Sequence, residues 1–225
     1  MADDPRTPKP ATPHTRTDLD AFAASLPPDD GRDAANVARG FIATRVEPVI
    51  DRIDPNPWMP IAWDLSRSDF VEGPAPDTVN PALWRQAGFN AQHGLYEICE
   101  GFYQVRGFDT SCVTFIRGDR GWVVIDPLTT TETARAAYDL VTEHLGERLV
   151  TAVIYTHSHL DHYGGVLGVV DLERVESGEV PIVAPEGFLR EAVAENVVAG
   201  PAMSRRTTYQ FGLLIPWNEH GHVDQ

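Results

Sequence analysis

The sequence predicts an α/β fold, and three observations carry that prediction. From Leu95 the chain has the texture of short strands, "LYEICEGFYQVRG", "SCVTFIRGD" and "GWVVIDP", separated by glycine-containing turns. A helical stretch follows, "TETARAAYDLVTEHLG", ended by Gly146. Then "LVTAVIYT" makes a near-continuous apolar run, suited to a strand buried on both faces.

The other elements follow in chain order. The opening residues, "MADDPRTPKPATPHTRTD", are rich in Pro, Thr and charge and offer almost nothing to bury. Residues 1–30 are therefore expected to be an extended, flexible arm, with His14 solvated. In "RDAANVARGFIAT", Ala34, Val37, Ala38, Phe41 and Ile42 recur at helical spacing, predicting a short amphipathic helix before Pro48. Asp54 to Pro81 carries many prolines and aromatics without a clean period, and reads as an extended segment wrapped on the core. "PALWRQAGFNAQHG" predicts a helix with Pro81 in its first turn and Gly94 near its end. His93 there reads as a helix-terminus residue. Beyond the central run, "PIVAP" is a short buried strand and "EGFLREAVAENVVAG" a helix ending at Gly200. The division expected is 1–30 as arm, 31–94 as a helical and extended segment packing on the core, and 95–225 as the main domain.

The 225 residues are 42% hydrophobic and 23% charged, which are ordinary globular values. No apolar stretch approaches the roughly 20 residues that cross a bilayer. Acidic residues number 33 against 18 basic, a formal charge of −15. That field repels nucleic acid and anionic membranes. An anionic substrate would meet the same repulsion and would need a strong local positive charge such as a metal pair. Cys99 and Cys112 form no CxxC pair and read as reduced core thiols. The N-terminus lacks the cationic start and apolar stretch of a signal peptide, so a cytoplasmic location is expected.

The chemistry concentrates in one place. After the apolar run comes "THSHLDHYGG", with three histidines and an aspartate inside six residues. His157 and His159 are two apart, so in extended backbone both imidazoles project to the same side and can share one ion. Asp161 and His162 come just beyond, where Gly164-Gly165 lets the chain turn sharply, and they aim at a neighbouring point. Imidazole with carboxylate suits zinc, and two-metal hydrolases hold their ions roughly 3.5–4 Å apart. The position also fits, because ligands in open α/β sheets bind outside the carboxyl ends of strands.

The motif His157-Ser158-His159-Leu160-Asp161-His162 resembles the zinc signature of the metallo-β-lactamase fold superfamily, and "GDRGWVVIDPLTTTETARAA" resembles its hairpin, Asp-containing strand end and helix. Three longer stretches narrow the likeness: "DTVNPALWRQAGFNAQHGLYEICEGFYQVRGFDTS", "YTHSHLDHYGGV" and "APEGFLREAVAENVVAGPAMSRR" resemble the zinc-dependent alkyl sulfatases of that superfamily. The resemblance implies an αβ/βα sandwich, of which this chain would be the N-terminal part. It implies hydrolysis of alkyl sulfate esters by water activated at two zinc ions, with His157 and His159 on one ion and Asp161 and His162 on the other. Asp126 would support the site from beneath, or be an ordinary turn carboxylate before Pro127. Asn196 and Arg205, with Arg206, would orient the sulfate, or equally be a helix end and a solvated basic pair. Tyr163 reads as packing.

Four ligands do not complete such a site, and relatives of this kind continue through a further half-sandwich, a dimerising helical region and a lipid-carrier-like domain. The chain is therefore expected to be an incomplete version of an alkyl sulfatase that would be a homodimer at full length. A non-catalytic remnant, or another hydrolase of the same fold such as a thioesterase or lactonase, is the alternative. His220 and His222, in "NEHGHVDQ", are the only histidines after the motif and are not expected to complete the centre.

Overall fold

The computed structural model describes residues 9–56 and 59–211. His220 and His222 lie outside the described residues. The chain gathers into two compact units, one drawn from Met1–Val37, Arg67–Ala91 and Ala202–Gln225, the other from Ala38–Ser66 and Gln92–Pro201.

The first unit is helical. Helices α1 (Pro13–Ser25) and α2 (Arg32–Ala38) precede α3 (Pro81–Asn90). Residues 13–25 fall in the stretch expected to be a flexible arm, and their helicity corrects that expectation. Thr12 caps the helix by accepting from the Thr15 N–H at 3.1 Å, and Pro13 stands at its first turn, where a missing N–H costs nothing. Arg16 on α1 bonds Asp77 at 2.6 Å, tying it to the segment before α3. On α3, Asn80 caps Ala82 and Leu83, and Arg85 reaches both Asp29 and Asp33 at 3.0 Å. Low hydrophobicity suggested an arm, but capping and these ion pairs supply local partners that an apolar-period reading does not count.

The second unit is built on one seven-stranded sheet of order β1-β4-β5-β6-β7-β8-β9. Its strands are β1 (Phe41–Ala43), β4 (Gly94–Cys99), β5 (Phe102–Arg106), β6 (Val113–Arg117), β7 (Trp122–Ile125), β8 (Val150–Ile154) and β9 (Ile182–Val183). A separate two-stranded hairpin, β2 (Val49–Asn56) with β3 (Met59–Asp64), belongs to the same unit. From β1 to β7 the pairing is antiparallel, and β7-β8-β9 is parallel. A parallel neighbour requires a crossover, supplied between β7 and β8 by helix α4 (Thr131–Leu145).

Alternation within the meander decides which face is core. Tyr103 and Val105 of β5, Val113 and Phe115 of β6, and Trp122 and Val124 of β7 all point inward. Against them α4 turns Ala134, Ala137, Leu140 and Val141, a helical-period stripe joined to the same core. Each fully buried Val, Leu or Phe here contributes about 1.5–3 kcal/mol relative to exposure.

Two further expectations change. The helix read from Arg32 to Thr44 stops at Ala38, and Phe41–Ala43 pairs with β4 instead. Gly40 adopts φ +77°, and a Cβ there would lie 2.0 Å from the Glu97 carbonyl oxygen, so the chain turns sharply against β4 at the one residue able to do so. The helix read up to Gly200 is α6 (Phe188–Val193) followed by one π-helical turn, Ala194–Val198, with a new helix α7 (Gly200–Gln210) beginning where the old one was expected to end. A short helix α5 (Leu172–Glu176) precedes β9. Cys99 and Cys112 are both free, as expected, but exposed rather than in the core.

Candidate metal centre

The parallel pairing of β7 with β8 sets Ile125 opposite Ile154. The residues that follow each strand therefore emerge side by side at the carboxyl edge of the sheet, which is where open α/β sheets place their ligands. From β7 comes Asp126; from β8 come Tyr155, Thr156 and the histidine motif.

Asp126 is 7% exposed and adopts φ +53°, in the left-handed region that few residues other than glycine enter. Its N–H donates to the Ile154 carbonyl at 3.0 Å. The carboxylate accepts from the Thr156 N–H at 2.8 Å and the Thr156 hydroxyl at 2.6 Å. Its Oδ2 is also 2.9 Å from His162 Nδ1. Asp126 thus joins the two strand ends and orients one imidazole of the motif.

The motif wraps over this carboxylate. His157 Nε2 is 3.0 Å from His159 Nδ1, and its own Nδ1 is 3.0 Å from the Thr156 hydroxyl. The rings of His157 and His162 are 4.0 Å apart between centroids. His162 Nε2 lies 3.1 Å from Asp161 Oδ2, so a carboxylate faces each nitrogen of this ring. One donor atom each from Asp126, His157 and His162 lie within 4.8 Å of one another. Two imidazoles and a carboxylate, flanked by His159 and Asp161, are a donor set whose chemistry fits zinc.

Of the residues picked out in the sequence, His157, His159, Asp161, His162 and Asp126 are gathered here. Asp126 stands nearer the cluster than a purely supporting carboxylate need be, since its oxygen shares the 4.8 Å grouping. Asn196 sits on the π-helical turn, its amide nitrogen donating to the Ala192 carbonyl at 2.9 Å and to the Tyr163 hydroxyl at 3.4 Å. Arg205 and Arg206 lie on α7, largely in the other unit. His93 bonds the Thr44 hydroxyl at 2.6 Å, and His14 pairs with exposed Asp18 on α1.

Three groups carried no sequence signal. Glu195, also on the π-helical turn, brings its carboxylate 3.5 Å from His159 Nε2; π-turns of this kind are frequent at functional sites. Ser111 donates its hydroxyl to the Asp161 carbonyl. Asp109, 7% exposed, binds the turn that follows Asp126. Each is a solitary polar residue in an ordinary loop or helix, and only the three-dimensional approach reveals its partner.

The loop is held to the strand ends by close backbone approach. Cβ atoms at Gly164, Gly165 and Gly168 would lie 2.3, 2.3 and 2.4 Å from the carbonyl oxygens of Thr129, Pro127 and Thr131. Gly165 instead donates its N–H to the Leu128 carbonyl at 2.9 Å. Below the loop, Tyr155 stacks on Phe188 with centroids 5.3 Å apart, and Tyr163 meets the same ring at 5.2 Å, edge on. Tyr163 therefore packs, and burial together with neighbouring Tyr163 pushes the Tyr155 hydroxyl up to about 12.

Comparison with known proteins agrees with this geometry. The metallo-beta-lactamase superfamily matches residues 106–219. A linear primary-alkylsulfatase from Pseudomonas sp. is 48% identical over 96% of the chain, and an (R)-specific secondary-alkylsulfatase from Pseudomonas sp. is 42% identical over 96%. The solved structure of the stereoselective inverting sec-alkylsulfatase Pisa1 from Pseudomonas sp. superposes with a TM-score of 0.85 at 41% identity, covering 96% of this chain and 33% of that one. The chain spans about a third of the length of the curated relatives it matches, 32% in both alkylsulfatases named. With the superfamily match covering half of it and the histidine motif folded at the ends of two parallel strands, the chain belongs to the metallo-beta-lactamase superfamily.

Proposed function

We propose that this chain carries part of the metal centre of an alkyl sulfate ester hydrolase. The observation that supports this reading most is the gathering of Asp126, His157 and His162 within 4.8 Å in a chain 48% identical to a linear primary-alkylsulfatase. In this reading His157 and His159 hold one zinc, and Asp161 and His162 hold a second. Bound zinc would supply Lewis-acid activation of water and neutralise the charge of a departing sulfate. The chain's own residues do the rest. Asp126 fixes His162 by its Nδ1, the Thr156 bonds hold Asp126, and Glu195 orients His159, the arrangement by which outer carboxylates keep a ligating imidazole in place. Asn196 orients the sulfate through a charge-assisted hydrogen bond.

The substrate is an alkyl sulfate, and the protein at full length is a homodimer in the cytoplasm; free Cys99 and Cys112 suit a reducing compartment. Among the described residues no helix is long and apolar enough to cross a membrane. The test is release of inorganic sulfate from primary and secondary alkyl sulfates, followed by ion chromatography with and without zinc. Turnover is expected to need zinc, to stop with chelator, and to fall by at least about 100-fold in His157→Ala, which removes a metal ligand. Stoichiometric zinc in the complete protein without sulfate release from any alkyl ester would eliminate the sulfatase reading, and hydrolysis of thioesters or lactones in its place would favour the alternative hydrolases of this fold.

A further inference from the structure

Among the described residues, four polar side chains are buried: Asp109, Ser111, Asp126 and Thr133. Burying polar groups costs free energy unless every donor and acceptor is matched, and all four serve one assembly. Asp109 and Ser111 lie on the loop between β5 and β6, in a different part of the sequence from the histidine motif. Asp109 Oδ1 accepts from the Thr129 hydroxyl at 2.6 Å and the Thr110 N–H at 2.7 Å. Its Oδ2 accepts from the Thr133 hydroxyl at 2.5 Å and the Thr129 N–H at 3.1 Å. Two residues on, Ser111 donates to the Asp161 carbonyl. One loop thus grips both arms of the metal centre: the turn that begins at Asp126, and the motif at Asp161.

That turn needs a grip. Asp126 and Leu128 have φ of +53° and +63°, left-handed values that side chains other than glycine adopt at a cost and keep only where surrounding contacts over-determine them. Leu128 is wholly buried, Gly165 takes its carbonyl, and Asp109 takes the next N–H and hydroxyl along the chain. Releasing Thr129 frees the strained turn to relax toward ordinary backbone angles. Relaxation would rotate the Asp126 carboxylate away from His162 and Thr156.

We propose that Asp109 is a positioning residue for the metal centre, its carboxylate locking the Asp126–Thr130 turn so that Asp126 holds His162 in register with the metal, with Ser111 holding the opposite arm. The proposal rests on the reading that this cluster binds metal. An amide cannot replace the carboxylate, because both oxygens already accept two hydrogen bonds each and the NH2 of Asn would face a donor on one side.

The experiment compares wild type with Asp109→Asn, Thr133→Val and Val141→Ala. Val141 is fully buried on α4 and makes none of these polar contacts, so its truncation reports destabilisation alone. Zinc affinity is read by chelator competition well below each melting temperature, and geometry by the visible absorption of the Co2+-loaded protein. Asp109→Asn is expected to weaken zinc about 10- to 100-fold, the usual consequence of losing a supporting partner, and to shift the Co2+ spectrum. Thr133→Val, which removes one of the four bonds, should do the same to a smaller degree and decides the matter if the Asn variant does not fold. Val141→Ala should lower the melting temperature with zinc affinity and spectrum unchanged. Wild-type affinity and spectrum in the Asp109 and Thr133 variants would overturn the proposal while leaving the metal reading intact, and so would an equal loss of affinity in Val141→Ala. Absence of stoichiometric metal in the wild type would overturn both.

Discussion

Replacing Gly165 with alanine adds one methyl group between the metal loop and the turn after β7, and the structure allows its cost to be worked out. The new Cβ would lie 2.3 Å from the Pro127 carbonyl oxygen, 2.5 Å from that of Thr130 and 2.8 Å from the Ala134 Cβ. Ordinary contact begins at 3.4 Å. The obstructing oxygens belong to the backbone, so no side-chain rotation relieves them, and loop and turn must part by about 1 Å. The Gly165 N–H to Leu128 carbonyl bond, now 2.9 Å, would stretch out of hydrogen-bonding range. Its loss costs about 1 kcal/mol, and an extra methyl in a filled site about 1–3 kcal/mol more. A destabilisation of about 3 kcal/mol lowers the melting temperature of a chain this size by about 6–12 °C. The assay is thermal denaturation followed by circular dichroism, with Gly200→Ala as control, since a Cβ there meets nothing within 4 Å. The control should stay within about 0.5 kcal/mol of wild type. If Gly165→Ala melts with the control, the loop is not held by close backbone approach and the reasoning fails.

Two other outcomes are expected. Glu195→Gln keeps the shape of the side chain 3.5 Å from His159 while removing its charge; because both partners are partly exposed, thermal stability should change by less than about 1 kcal/mol, while zinc affinity drops by about tenfold. Unchanged affinity in chelator competition would exclude Glu195 from holding His159. Tyr155, with its hydroxyl pushed up to about 12, stays protonated in the folded state while an unfolded tyrosine ionises from about 10. Its contribution is therefore complete below pH 10 and lost as pH rises from about 10 to 12. Denaturation midpoints measured across that range should fall, and more shallowly in Tyr155→Phe, which has no proton to lose; identical slopes would remove Tyr155 as the cause.

The histidine motif was legible because its chemistry is local. His157, His159, Asp161 and His162 stand within six residues between a strand and a glycine pair, and no packing reason requires that cluster. The strand-helix-strand order around it was legible for a similar reason: the alternation in β5 to β7, the capped period of α4 and the apolar run of β8 are each written in consecutive residues. Where local signals competed, the reading failed. Phe41 and Ile42 suit a helix by spacing, yet Gly40 and the waiting edge of β4 make them a strand. The polar start of the chain suggested an arm, and Thr12, Pro13 and the bond from Arg16 to Asp77 make part of it a helix.

What the sequence by itself determined is thus the donor cluster of the candidate centre, because side chains of that kind closely spaced along the chain announce themselves whatever the fold. Only the tertiary structure decided which groups hold that centre in shape. Asp109 acts 20 residues before Thr129, Asp126 reaches 36 residues ahead to His162, Ser111 meets Asp161 across 50, and Glu195 meets His159 from a π-helical turn. These partners are brought together by the parallel pairing of β7 with β8 and by the close approach of glycines to carbonyls. A single polar residue has no period and no neighbour in sequence to mark it, so its meaning exists only once the chain has folded around it.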